Sequence, residues 1–171
     1  MATFDRATNV NIAALFAVFC FAAHGARADE NALDNFLGQW DVRVKRVRPK
    51  VSEVTYTETY EWVLNRQFLR GVTGRKSDGT EDVIYGTYDA KMKGYPFWIF
   101  SSSGTYVYLA PGTWDAGKHT MEWKNPANSD ITYSGRLIFP DENTRRWTTV
   151  VKDWKGTVLL ELEGSAVRRG D

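Results

Sequence analysis

The stretch VTYTETYEWV, from Val54 to Val63, decides the fold that this sequence predicts. Within it Tyr56, Tyr60 and Trp62 occupy alternate positions, and mostly threonine fills the positions between them. Because successive side chains of a β-strand point to opposite faces, this period of two predicts a half-buried strand over residues 54–63.

The same alternation recurs along the chain on both sides of this stretch. Turn signals such as Ser77-Asp78-Gly79 separate the segments, and the connections are two to six residues long. Such short connections force neighbouring strands to be antiparallel, and a long meander must close or stack to remove its edges. The predicted strand segments are residues 40–45, 54–63, 68–76, 81–88, 95–102, 105–110, 112–115, 119–124, 131–139, 145–153 and 157–168.

The predicted fold class is therefore all-β: a single antiparallel meander barrel of about ten strands. Residues 31–37 are predicted as a short helix before the first strand, and Gly38 ends it. Asp41, Arg43 and Lys45 on the predicted outer face argue against an outer-membrane barrel, whose outer face is apolar.

The first 28 residues are predicted to be a secretory signal peptide. Arg6 precedes an apolar run over residues 12–23, which is shorter than a bilayer span requires. Ala26-Arg27-Ala28 follows as a cleavage site, so cleavage after Ala28 and a secreted or periplasmic location are expected. Residues 29–171 are then the barrel domain.

Composition excludes several classes of function. The chain has 171 residues, of which 43% are hydrophobic and 25% charged, with a net charge of +1. Beyond residue 28 there is no cysteine and one histidine, His119, so no disulfide, metal site or cofactor is predicted. Arg145-Arg146 and Arg168-Arg169 are too small as basic patches to predict a nucleic-acid partner.

A short helix followed by Gly38-Gln39-Trp40, with Arg168 or Arg169 near the end of the last strand, resembles the calycin superfamily of lipocalins and fatty-acid-binding proteins. The resemblance implies that Trp40 closes the barrel floor and that the late arginine packs over its ring. More narrowly, the chain resembles the bacterial domain-of-unknown-function 1579 family, which has no established activity. The segments that carry this second resemblance are residues 36–40, 65–70, 85–89 and 112–115.

Aromatic side chains are expected to line the barrel interior. Tyr60 and Trp62 share the face of Trp40, but residues 95–102 and 105–110 carry apolar side chains on both faces. Their inward residues are therefore either Trp98 and Phe100 or Phe97 and Ile99, and either Tyr106 and Tyr108 or Val107 and Leu109. We take Trp98, Tyr106 and Tyr108 as the predicted ligand-binding residues of these two strands.

Glu58 stands out because it lies between two tyrosines on the apolar face, where an unpaired carboxylate is costly. Arg70 is its predicted partner, and the pair is expected to hold a polar ligand head group. The alternative is that Glu58 lies at the barrel rim, in solvent.

Three functions follow from these patterns. The first is a barrel that binds one small apolar or amphipathic molecule in an aromatic-lined cavity, without enzymatic activity. The second is an isomerase or cyclase that uses Glu58 as its base. The third is an envelope interaction module with a filled barrel and recognition loops at residues 91–94 and 125–128. The sequence contains no recognisable catalytic motif, which favours the first function, and it does not predict the oligomeric state.

Overall fold

The computed structural model describes residues 31–125 and 130–170 and shows a closed antiparallel barrel. The predicted signal peptide and residues 126–128 of the second predicted recognition loop lie outside the described residues. A short helix, α1, precedes ten strands that pair in sequence order, and the first strand pairs with the last. The elements are α1 Asn31–Asp34, β1 Gly38–Arg48, β2 Ser52–Val63, β3 Phe68–Thr73, β4 Asp82–Gly86, β5 Tyr95–Ser101, β6 Tyr106–Asp115, β7 Thr120–Lys124, β8 Ile131–Asp141, β9 Thr144–Asp153 and β10 Val158–Arg168.

The predicted fold class is confirmed. Up-and-down pairing places α1 and the β2–β3, β4–β5, β6–β7 and β8–β9 connections at one end, called here the closed end. The connections β1–β2, β3–β4, β5–β6, β7–β8 and β9–β10 lie at the other end, called the mouth. In the described part of the chain no helix is long and apolar enough to cross a membrane.

The helix α1 plugs the closed end although it is shorter than predicted. Ala32, Leu33 and Phe36 are buried, and the Phe36 ring lies 5.2–5.6 Å from three other rings of the core. The chain turns after Asp34 through two short-range backbone hydrogen bonds, and Gly38 has φ +94°, a conformation that favours glycine. The turn and Gly38 together bring the chain from the plug directly into β1.

Strand β6 corrects one predicted boundary. The sequence suggested a break between residues 110 and 112, yet β6 runs through Pro111 to Asp115. Its register with β5 shifts between the pairs Tyr95–Gly112 and Phe97–Leu109, so Pro111 lies at a bulge. Proline is tolerated at bulges because the regular ladder hydrogen bonds are already interrupted there.

The barrel wall is incompletely paired beside this bulge. The β6–β7 ladder consists of three residue pairs that begin at Thr113, so the first half of β6 has no ladder partner on that side among the described residues. Tyr133 of β8 bridges the gap, since its hydroxyl accepts a hydrogen bond of 2.6 Å from the Ala110 amide. In the described part of the chain, the wall is therefore unpaired towards the mouth between β6 and β8.

Candidate functional site

A cavity of about 420 Å³ extends from Phe36 at the closed end to Val107 and Ile131 at the mouth. This volume lies within the range of small-molecule pockets, and the interior is not filled by side chains as in the smallest barrels. Val107 and Ile131 are both exposed, so the mouth is open to solvent. Apolar side chains of strands on opposite sides of the barrel line the cavity between these ends, among them Ile84, Phe97, Ile99, Leu109, Leu137, Trp147, Leu160 and Leu162.

Two glycines give cavity-lining rings room to lie against the wall. Gly71 is the cross-strand partner of Tyr60, and Gly164 is the partner of Trp147. A Cβ atom at either glycine would overlap the facing ring. These rings therefore lie flat over glycine backbone, which keeps them out of the centre of the cavity.

Glu58 and Arg145 form an ion pair at the closed end of this cavity. Glu58 Oε1 contacts Arg145 Nη2, and both side chains are buried. In the described part of the chain these are the two buried charged side chains. Among the described residues, the Arg145 Nε has no hydrogen-bond partner. A buried pair of this kind is retained against a large desolvation cost, so it is the strongest chemical feature of the interior.

Aromatic rings surround the Arg145 guanidinium. Its central carbon lies 4.6 Å from the Trp40 ring centroid, 5.3 Å from Tyr60 and 5.7 Å from Trp147. The ring faces attract the cation and replace part of its lost hydration. Burial lowers the pKa of Arg145 to about 9, so Arg145 is still charged at neutral pH.

Two tyrosines beside the pair remain neutral. Burial raises the pKa of Tyr56 to about 12, and burial also raises the pKa of Tyr60. Both side chains line the cavity together with Glu58 and Arg145. The closed end of the cavity thus combines one neutralised charge pair with two neutral phenols.

The structure corrects the predicted partner of Glu58. Arg70 lies on the outer face, where its Nη1 donates a hydrogen bond of 2.9 Å to Glu61. The register pairs Arg70 with Glu61 and Gly71 with Tyr60, so the inward residues of β3 are Leu69, Gly71 and Thr73. The sequence pattern predicts an inward Arg70 because Arg70 shares a face with Phe68 and Val72, but β3 carries apolar side chains on both faces.

Three predicted cavity residues also point outwards. Trp98 and Tyr108 pack against each other outside the barrel in a tilted arrangement with ring centroids 5.4 Å apart, and Tyr106 is 71% exposed. The alternative set lines the cavity instead: Phe97, Ile99, Val107 and Leu109. The side chains of β5 and β6 are apolar on both faces, so ring size was a poor guide to the inward face.

The remaining predicted residues lie at or below the cavity floor. Trp62 is half-buried, and its Nε1 donates a hydrogen bond of 2.7 Å to Asp34 of α1, outside the cavity. The Arg168 guanidinium lies 4.3 Å from the Trp40 ring centroid and donates a hydrogen bond to the Leu37 carbonyl oxygen, while Arg169 binds Asp41. Trp40 is fully buried and donates from Nε1 to the Phe36 carbonyl oxygen at 2.7 Å.

Arg145 is the interior residue that the sequence analysis missed. In the sequence it stands beside Arg146, as half of a small basic patch. The available signal was its alternation with Trp147, Thr149 and Val151, which places all four side chains on one face of β9. Two other features lie away from the cavity: His119 is exposed, and residues 91–94 form part of the β4–β5 connection at the closed end.

Comparison with known proteins gives similarity of fold. No family model matches the chain, and no curated protein matches it. Among solved structures, it is similar to an S-type phycobiliprotein lyase from Guillardia theta, with a TM-score of 0.48, 13% identity, and 83% of this chain and 93% of that chain covered. It is also similar to a de novo designed fluorescence-activating β-barrel, with a TM-score of 0.45, 18% identity, and coverages of 81% and 97%.

Proposed function

We propose that this protein binds one small, mostly apolar molecule inside the barrel, with the polar end of that molecule directed towards Glu58 and Arg145. The observation that carries the proposal is the open cavity of about 420 Å³ whose walls are mostly apolar and whose closed end holds the buried Glu58–Arg145 ion pair. Apolar walls supply affinity, and a few placed polar groups supply orientation.

The charge state of the closed end favours a ligand whose polar group is uncharged. Glu58 already neutralises Arg145, so an incoming carboxylate would lie near the buried Glu58 carboxylate. A hydroxyl or carbonyl group instead meets the pair and the phenols of Tyr56 and Tyr60 without adding charge. A long-chain alcohol or an apolar carbonyl compound fits this chemistry better than a fatty acid.

The proposal is for binding without catalysis. Glu58 is the carboxylate that a cavity-based isomerase or cyclase would use as its base, and it is engaged by Arg145. We also propose, from the sequence of residues 1–28 alone, that the protein is exported before it meets its ligand. The order of α1, Gly38 and Trp40, with Arg168 over Trp40, supports placing the chain among calycin-like barrels. Membership of the 1579 family stays a prediction.

The preference for an uncharged head group is testable by competition. The full chain is loaded with the neutral fluorescent probe N-phenyl-1-naphthylamine and titrated with dodecanol or dodecanoate at about pH 8, where the acid is ionised. Dodecanol is expected to displace the probe at a concentration at least about ten-fold lower, because it brings no second carboxylate to Glu58.

A single substitution is expected to reverse this order. Glu58→Gln removes the negative charge and leaves the positive Arg145 free to bind a carboxylate, so dodecanoate becomes the stronger competitor. Glu61→Gln is the matched control, since Glu61 is a carboxylate of the same strand that faces outward and pairs with Arg70 outside the barrel. If dodecanoate is stronger in the wild type, or if Glu58→Gln leaves the order unchanged, the proposed role of the pair is wrong.

A further inference from the structure

Exposed apolar side chains of the described residues concentrate at the mouth end. Eleven large hydrophobic residues are exposed in the described part of the chain. Eight of them lie on strand ends and turns in the mouth half of the barrel. Of these eight, the most exposed are Trp154 at 73%, Tyr106 at 71% and Val51 at 66%, while Leu64 at the closed end is 70% exposed. Trp154, Tyr106 and Val51 come from three of the five mouth connections, β9–β10, β5–β6 and β1–β2. The β3–β4 connection, residues 74–81, carries polar and charged side chains instead.

The β5–β6 hairpin adds a second observation. Residues 94–114 contain no charged side chain, in a chain that is 25% charged. The hairpin tip consists of serine, glycine and threonine, and apolar side chains are exposed on both of its faces, Val107 inwards and Tyr106 outwards. A lipid interface surrounds an inserted tip on all sides, and a hairpin without charged side chains enters it without the cost of burying a charge.

Lysines stand beside two of the other apolar tips. Lys50 precedes Val51, and the Lys155 ammonium lies 4.8 Å from the Trp154 ring centroid. Aromatic side chains with neighbouring lysines are typical of groups that anchor a protein at the headgroup level of a bilayer. Lysine also attracts anionic headgroups.

We propose that the mouth end of the barrel docks on a lipid bilayer, with the β5–β6 hairpin tip and Trp154 inserted at the headgroup level. Val107 and Ile131 line the cavity at this same end, so docking places the cavity mouth against the lipid. An apolar ligand then passes between bilayer and cavity without crossing bulk water, which it enters only at a large free-energy cost.

Flotation with vesicles of equimolar phosphatidylcholine and phosphatidylglycerol tests the proposal. The full chain is compared with a variant carrying Tyr106→Ser and Trp154→Ser, and Met92→Ser is the control because Met92 is 60% exposed at the closed end. The double variant is expected to bind roughly 100-fold more weakly, about ten-fold for each ring removed from the interface. Met92→Ser is expected to bind like the wild type. The apolar run at residues 12–23 is common to all three proteins, so their differences report on the barrel.

A probe attached at the hairpin tip makes the test local. In a Cys20→Ser background, Ser103→Cys labelled with a nitrobenzoxadiazole dye is expected to shift its emission to shorter wavelength on vesicle addition, and Met92→Cys with the same dye is not. Equal behaviour of the two labels, or equal flotation of all three proteins, overturns the proposal. So does a concentration-dependent dimer in sedimentation that Tyr106→Ser abolishes, because a second copy then covers this surface. Vesicle binding is measured without cavity ligand, so its failure leaves the competition experiment interpretable.

Discussion

Replacing Arg145 by leucine is expected to lower the free energy of unfolding by about 3–5 kcal/mol. Arg145 is the ion-pair partner of the buried Glu58, and the substitution leaves that carboxylate in an apolar cavity without a counter-charge. The contacts of the guanidinium with the Trp40 and Tyr60 rings are also lost. Urea denaturation followed by far-ultraviolet circular dichroism measures the change.

Two comparisons identify the cause of this loss. Arg70→Leu removes an arginine whose ion pair with Glu61 lies in solvent, and it is expected to leave the denaturation midpoint nearly unchanged. The double variant Glu58→Met with Arg145→Leu removes both charges and is expected to recover most of the lost stability. A double variant as unstable as Arg145→Leu alone would show that packing of the guanidinium, and not the orphaned carboxylate, is the main cause.

Trp40→Ala is expected to cost about 3–5 kcal/mol of unfolding free energy, the usual range for deleting a fully buried tryptophan. Trp40 has no solvent exposure, and the guanidinium groups of Arg145 and Arg168 lie 4.6 and 4.3 Å from its ring centroid. Its indole also donates a hydrogen bond to the Phe36 carbonyl oxygen, so the substitution weakens the contact between β1 and the segment that follows α1. Thermal and urea unfolding both measure this effect.

Trp154 provides the control for this tryptophan. It is exposed in the β9–β10 connection, and Trp154→Ala is expected to change stability by less than about 0.5 kcal/mol. Trp40→Phe keeps a ring between the arginines but loses the indole donor, so its stability should fall between those of the wild type and Trp40→Ala. Similar losses for Trp40→Ala and Trp154→Ala would contradict the role of Trp40 as the floor of the barrel.

The fold was predictable because strand period and connection length constrain each other. The alternation in β2 assigns its inward face correctly, and Glu58 and Tyr60 are buried there while Tyr56 is half-buried. Short connections then leave only antiparallel neighbours, and closure removes the edges of so long a meander. The predicted strand break at Pro111 was wrong because a proline usually ends a regular strand but is accommodated at a bulge.

The site was only partly predictable because two residues of a pair must both be assigned to a face. Glu58 was placed inward from its neighbours, but β3, β5 and β6 are apolar on both faces, so alternation assigns no face to Arg70, Trp98 or Tyr106. Register decides these faces, and register depends on cross-strand pairing that no single segment contains. Arg145 lies 87 positions after Glu58, and only closure of the barrel brings them together.

The measurement that tests cavity binding most directly is a titration of the full chain with N-phenyl-1-naphthylamine, compared with Gly135→Phe. Gly135 lines the cavity, and a Cβ there meets its nearest neighbour at 3.7 Å, so a phenyl group fills the void without a clash at its base. Ser134→Phe, on the outer face of the same strand, is the matched control. We expect one probe per wild-type chain, unchanged binding in Ser134→Phe, and binding weakened at least about ten-fold in a folded Gly135→Phe. No uptake by the wild type, or equal uptake by Gly135→Phe, would contradict the account.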